Sequence, residues 1–383
     1  QTVTGALRLL SANTTLNIAS HTLTVTGNIF SNGTTGTAFG NTKRILTSGL
    51  RNDGGLVRQA ISGTDLLFPV GTPSILYTPV TINVTASSTG TITVRPVANA
   101  HPNVTATNQS VQFFWRVTSA GFSGITNVTH KSYTFSNATK NGTLNAYRPA
   151  RYDPLNFTWA YRTATYNATG TTVIPNFNTG TAWTGLSNDV IDGEYTAGNV
   201  AAFGIVTVYY SRASGAWNQT NTWSNSAIGG PAAASAPPCA ACPVVIGDST
   251  RNHTVIIDAN NRSCGSLFIA SGSTLDCSTF TNLNFGVNTG VEIFGRGTLR
   301  IGSPNFPAGD FTTFIGEAGG TVEWYGASKT IPAAGPAPQN LVLDNYYNIT
   351  VSPANGGIIT LPASNITIFN DLVISGVGTG QVY

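Results

Sequence analysis

Residues Ser266-Leu267-Phe268-Ile269-Ala270-Ser271 carry a pattern that recurs along the chain. Thr15-Leu16-Asn17-Ile18-Ala19-Ser20 repeats it, and so does Thr298-Leu299-Arg300-Ile301-Gly302-Ser303. Asp371-Leu372-Val373-Ile374-Ser375-Gly376 is a looser fourth copy. Side chains on a strand alternate between faces, so the two aliphatic residues two apart share one face. A small pair then turns the chain. A short strand, an inward aliphatic pair and a tight corner are what a rung of a β-solenoid requires. One copy lies near the N-terminus and three lie beyond residue 260.

Between the copies the pattern changes. Thr89-Gly90-Thr91-Ile92-Thr93-Val94 alternates polar and apolar residues over a longer run. Aromatic-rich segments follow, such as Val111-Gln112-Phe113-Phe114-Trp115-Arg116-Val117 and Thr158-Trp159-Ala160-Tyr161-Arg162. Longer strands between polar loops predict an antiparallel β-sandwich. Ser226 to Pro238, rich in Ala, Gly and Pro, reads as a loop. The expected fold is all-β in three parts. Residues 1–45 supply solenoid-like or subunit-joining strands, 46–198 a sandwich, and 203–383 a β-solenoid-like domain. No segment shows a 3.6-residue period.

Composition agrees and removes several classes of function. Charged residues are 9% of the 383, against roughly 25% in an average soluble protein. A net charge of +3 without a Lys/Arg cluster argues against a nucleic-acid partner. With 41% hydrophobic residues there is material for a large core. No apolar run approaches the roughly 18 residues of a membrane span. Methionine is absent and the sequence opens on Gln1, which fits a mature exported protein whose leader has been cleaved.

Tyr209-Tyr210-Ser211-Arg212-Ala213-Ser214-Gly215-Ala216-Trp217, Thr222-Trp223-Ser224 and Gly320-Thr321-Val322-Glu323-Trp324-Tyr325-Gly326 give the second half a recognisable style. Phe68-Pro69-Val70-Gly71-Thr72, Arg148-Pro149-Ala150-Arg151-Tyr152 and Gly193-Glu194-Tyr195-Thr196-Ala197-Gly198 do so for the middle. Together these resemble the repeat regions of large Bacteroidota-type secreted surface adhesins, the β-rich cargo of type IX secretion. The resemblance covers most of residues 45–383 and implies an extracellular, structural or adhesive role. It transfers no active-site residue. The chain departs from that family in lacking its C-terminal sorting domain and in its density of N-x-Thr sites.

Cys239, Cys242, Cys264 and Cys277 lie within 40 residues. Cys239-Ala-Ala-Cys242 has a zinc-ligand spacing, but Cys264 and Cys277 do not complete it. An even count in an exported chain predicts two disulfides, with three pairings open. No metal or other cofactor is expected. The acids of the second half, among them Asp276, Glu292 and Glu323, read as scattered surface groups. His21, His101, His130 and His253 have no partner at metal or triad spacing, and no G-x-S-x-G supports a serine nucleophile. No catalytic residue is assigned. Trp217, Trp223, Trp324 and Tyr325 could stack on sugars, but aromatic residues more often fill cores or cap a solenoid end.

Asparagine gives a sharper signal. Of 36 Asn, 13 begin N-x-Thr: Asn13, Asn32, Asn83, Asn103, Asn127, Asn137, Asn141, Asn156, Asn167, Asn218, Asn252, Asn348 and Asn365. Asn108 and Asn261 begin N-x-Ser. With Thr at about 15% of the chain, chance predicts about five N-x-Thr sites. Hydrated, uncharged glycans would keep a nearly charge-free surface soluble, a task charges normally perform. The sequence thus predicts a glycosylated cell-surface protein that assembles head to tail with copies of itself into a filament. Surface polysaccharide is a second partner this reading allows. The alternative is a carbohydrate-active or carbohydrate-binding module on a β-solenoid: a polysaccharide lyase, a glycosidase or a lectin-like domain.

Overall fold

In the computed structural model the chain is nearly all β, with 47% strand, 4% helix and a β-solenoid arrangement. The structure describes every residue except 12, 32–37, 52, 136–138, 143–146, 155–156, 162–171, 176–189, 236–237, 287–292 and 338–339; strand 172–175 is described by its backbone alone. Two compact units divide the chain, Gln1–Ile205 and Val206–Tyr383.

The second unit winds in parallel rungs. One side is a seven-stranded parallel sheet: Gly215–Ala216, Thr254–Ile256, Thr274–Asp276, Thr298–Ile301, Thr321–Gly326, Asn345–Pro353 and Thr367–Ile374. A second side stacks Tyr209–Ser211, Pro243–Ile246, Ser266–Ile269 and Ile293–Gly295. Short strands line a third, including Lys329–Thr330, Ile358–Thr360 and Gln381–Val382. Parallel stacking puts like residues over like. Val255, Leu275, Leu299, Val322 and Ile349 form one inner column, each fully buried. Burying each such side chain contributes roughly 1.5–3 kcal/mol. The corner after Ile293–Gly295 needs glycine. Gly295 has φ +116°, and a Cβ there would lie 2.1 Å from the Ile269 carbonyl oxygen.

The four sequence copies do not all occupy one side. Ser266–Ile269 lies in the second sheet, whereas Thr298–Ile301 and Thr367–Ile374 lie in the first. The motif is therefore a strand with its corner, used on more than one face, and not a whole rung.

The first unit begins the same way. Thr2–Val3, Thr22–Val25 and Gly55–Ala60 pair in parallel on one side. Thr15–Ala19, Arg44–Thr47 and Val70–Thr72 pair in parallel on another. Leu7–Arg8 pairs with Ile29–Phe30 between them in sequence. The aliphatic pair of the first copy points inward as expected, Ile18 buried and Leu16 packed against the same core, and Leu23 and Val25 of the next strand are buried beside them. The first sheet then continues in antiparallel sense through Gly90–Val97, Phe114–Ala120, Gly193–Gly198, Arg148–Asp153 and Thr158–Tyr161. An antiparallel sheet of Asp65–Phe68, Val80–Ala86, Ile125–Phe135 and Thr172–Pro175 accompanies it. Residues 1–45 thus share their sheets with the segment that follows and form no unit of their own.

Candidate functional site

The first and last described rungs of the second unit are covered differently. At the first rung of the second unit, Trp217 and Trp223 pack edge to face with centroids 5.2 Å apart, both fully buried. Trp223 Nε1 donates to the Trp217 carbonyl at 2.7 Å, and the Trp217 N–H donates to the Ile256 carbonyl at 2.9 Å. Trp223–Ser224 adds an antiparallel strand beside Tyr209–Ser211. This end is closed by aromatic bulk and a reversed strand.

The last rung has no such cover among the described residues. Leu372 stacks on Ile349 and Ile374 on Val351. Those two partners are fully buried, yet Leu372 is 48% and Ile374 59% exposed. Phe369, Val377 and Tyr383 are also exposed. Thr367–Ile374 is an edge strand with free parallel hydrogen-bonding groups, and Gln381–Val382 is another. In the first unit Thr2–Val3, Leu7–Arg8 and Thr15–Ala19 are edge strands as well.

Cys239 and Cys242 form a disulfide, but Cys264 and Cys277 do not. This corrects the expectation of two bridges. Both remaining thiols are consumed by the core: each is buried in the apolar interior of the solenoid, and burial pushes both thiols well above their ordinary range. The described residues hold no cluster of His, Cys, Asp and Glu able to bind a metal ion.

Three of the histidines, His101, His130 and His253, have hydrogen-bond partners in the fold that no sequence spacing marked. His101 Nδ1 accepts from the Asn103 N–H at 3.2 Å, and Nε2 donates to Glu194 Oε2 at 2.7 Å. Arg51 lies 2.7 Å from Glu194 Oε1, and the rings of Phe114, Tyr152 and Trp159 enclose the imidazole. Glu194 is fully buried. Burial opposes its charge, but Arg51, His101 and Arg116 outweigh that and hold its carboxyl at about 2. His130 sits between Tyr133, Tyr195 and the Val190 carbonyl, and burial pushes it down to about 4. No spacing rule could find the His101–Glu194 pair, since 93 residues separate its members.

Other candidate chemistry is internally spent. Ser211 Oγ lies 2.7 Å from His253 Nδ1, but Ser211 is fully buried and also accepts from the Gly247 N–H. Asp248 is held by Thr250 and Arg251. Ser211 therefore presents no attacking hydroxyl. Asp276 and Glu323 flank Arg300 on consecutive rungs at 2.9 and 2.7 Å, and Arg300 lies over the Tyr325 ring. Glu292 lies outside the described residues. Trp217, Trp223 and Trp324 are fully buried and offer no sugar platform.

The sequons separate into two groups. Asn13, Asn108, Asn127, Asn141, Asn218, Asn252, Asn261 and Asn365 are exposed. Asn83, Asn103 and Asn348 are half-buried. The Asn83 amide donates to Gly63 and Asp65, and the Asn348 amide to Thr321. A glycan replaces one amide hydrogen, so Asn83, which donates twice, would lose one of its bonds. Asn32, Asn137, Asn156 and Asn167 lie outside the described residues.

No described helix is long and apolar enough to cross a membrane. No known protein family, curated protein or solved structure matches the chain.

Proposed function

We propose that this chain is an extracellular structural or adhesive protein, a glycosylated subunit of a cell-surface filament built by head-to-tail stacking. The resemblance to secreted surface adhesins belongs to this reading, as does an antiparallel sandwich within residues 46–198. One observation carries it: the second unit stacks like residues over like through consecutive parallel rungs, an arrangement whose edge strand and apolar column suit a further rung of the same kind. An apolar column and an unpaired parallel edge at one place are a template for another rung. A contact between unlike ends propagates as an open fibre unless the rotation closes a ring. The buried tryptophans and the internally paired Ser211, His253 and Asp276 lend no support to a carbohydrate-active site.

Electron microscopy and light scattering on the purified chain test this. Fibres are expected. A stable monomer at tens of micromolar, with no fibres, overturns it. Glycopeptide mass spectrometry on material from the native host tests the glycan part: modification should fall on exposed asparagines such as Asn218 and Asn261, and bare peptides throughout would remove that part.

A further inference from the structure

We propose that the Cys239–Cys242 bridge is a thiol-exchange site: a thiol carried by another molecule opens it at Cys239 and is held there as a mixed disulfide until Cys242 expels it. The site goes beyond the filament reading and does not depend on it. The two sulfurs differ in access. Cys239, Ala240 and Ala241 are exposed, whereas Cys242 is 8% exposed and belongs to the apolar core of the second unit. Which sulfur a thiolate attacks follows access, so an incoming thiolate reaches Cys239 Sγ and makes Cys242 Sγ the leaving group.

The turn does not depend on the bridge for its shape. The Cys242 N–H donates to the Cys239 carbonyl at 2.9 Å, which closes the turn through the backbone. The Gly265 N–H of the next rung donates to the Cys242 carbonyl at 2.8 Å. The turn also rests on Gly265, where a Cβ would come within 2.3 Å of the Ala241 carbonyl oxygen. Backbone bonds and packing thus keep Cys239 and Cys242 together when the sulfur–sulfur bond is open. The open state strands no polar group in the core either. A neutral thiol behaves as a small apolar residue, and Cys264 and Cys277 already occupy this interior in that form. A bridge that closes a long loop is the kind that resists opening; this one spans three positions and joins no two rungs.

The exchange balances without an oxidant or reductant. The incoming thiol gives its proton to solvent, and its sulfur bonds to Cys239 Sγ. The Cys239–Cys242 bond breaks, and Cys242 Sγ departs with the electron pair and takes a proton from solvent. One disulfide replaces another. In the return step the Cys242 sulfur attacks Cys239 Sγ and the thiol is released.

Glutathione, reduced or as its disulfide, is the probe, at about pH 8 where thiolates form. Peptide mass spectrometry after an acid quench is the readout, with circular dichroism on every sample. On the unaltered chain, reduced glutathione should open the bridge with no change in the dichroism. The opened chain, given glutathione disulfide, should close its bridge again and retain no glutathione. Cys242→Ala, which has no sulfur to expel the adduct, should instead accumulate one glutathionyl group on Cys239. Cys239→Ala should stay unlabelled while folded. Glutathione on Cys242, an adduct retained by the unaltered chain, or opening only where the dichroism is lost overturns the proposal. The arms on the unaltered chain decide alone if a variant fails to fold. Cys242→Ala is also offered a folded protein whose one exposed cysteine carries glutathione. Release of glutathione with a protein–protein adduct assigns the site to protein thiols, and uptake of glutathione assigns it to small ones.

Discussion

The two units begin from the same device and use it differently. In Val206–Tyr383 each rung repeats the last, so one aliphatic column runs through consecutive strands and the interior is apolar. In Gln1–Ile205 the rungs give way to antiparallel strands joined across long loops, and that change carries Glu194, His101, Arg51 and Arg116 into one buried group. Parallel stacking makes like meet like. Antiparallel pairing with long crossovers makes unlike residues meet, and polar ones must then satisfy each other. The first unit should therefore respond to loss of charge and the second to loss of volume.

The sharpest way to break the comparison is Glu194→Ala. Removing the carboxylate leaves Arg51 and His101 buried without their acceptor, which costs about 3–5 kcal/mol. Glu194→Gln keeps an acceptor for His101 Nε2 and should cost less. Hydrogen exchange should rise across Phe114–Ala120, Arg148–Asp153 and Gly193–Gly198, and leave peptides of the second unit unchanged. Equal loss of protection in both units would show that they do not respond separately.

The converse is Leu299→Ala. Its neighbours Leu275 and Val322 are also fully buried, so the cavity can collapse only in part, at a cost of about 2–5 kcal/mol. Exchange should now rise in Thr274–Asp276 and Thr321–Gly326 alone. Protection retained there would mean that the column is not what holds the rungs together.

How much of this was legible in the sequence follows from the same contrast. Leu16 and Ile18 could be placed because a period of two is local. So could the all-β class. Trp217 and Trp223 could be read as a cap, and their burial with a reversed strand agrees with that. Glu194 could not be recognised, since nothing near it in sequence names His101 or Arg51. The cysteine count misled because evenness says nothing of geometry: Cys264 and Cys277 serve as small apolar fillers in the core.

Acid should separate the units next. His101 and His130 are both held below their ordinary value, chiefly by burial, and His130 lies at about 4. An unfolded chain binds a proton at each near pH 6.5, while the folded one does not. Their contribution is therefore complete above about pH 6.5 and is lost as pH falls below it, for His130 towards 4. Glu194 acts in the same direction lower down: its stabilisation is present above its unfolded value of 4.5 and is lost as pH falls towards 2. The second unit has one histidine, the half-buried His253, which burial also lowers, but no fully buried one. Circular dichroism with unit-resolved exchange should find the first unit opening first on acidification. The reverse order would contradict the buried network.

Reduction should have the smallest effect, and the reason lies in where the bridge sits. Cys239 and Cys242 are three positions apart, so the disulfide closes a very short loop. Constraint of the unfolded chain grows with loop length, and for a loop this short it amounts to about 2 kcal/mol at most. The bridge joins no two rungs: Cys242 immediately precedes Pro243–Ile246, and Cys239 lies just before it in the same segment. The cohesion of the second unit must come instead from its buried columns, as Leu299→Ala would show. Reductant should therefore shift the thermal midpoint of the second unit only slightly. The intact mass should rise by the two hydrogens of one bridge, and alkylation of the unreduced chain should label Cys264 and Cys277 only after unfolding. A mass change equal to two bridges would show those thiols paired, and a large loss of stability would move the hold on the rungs from packing to cross-linking.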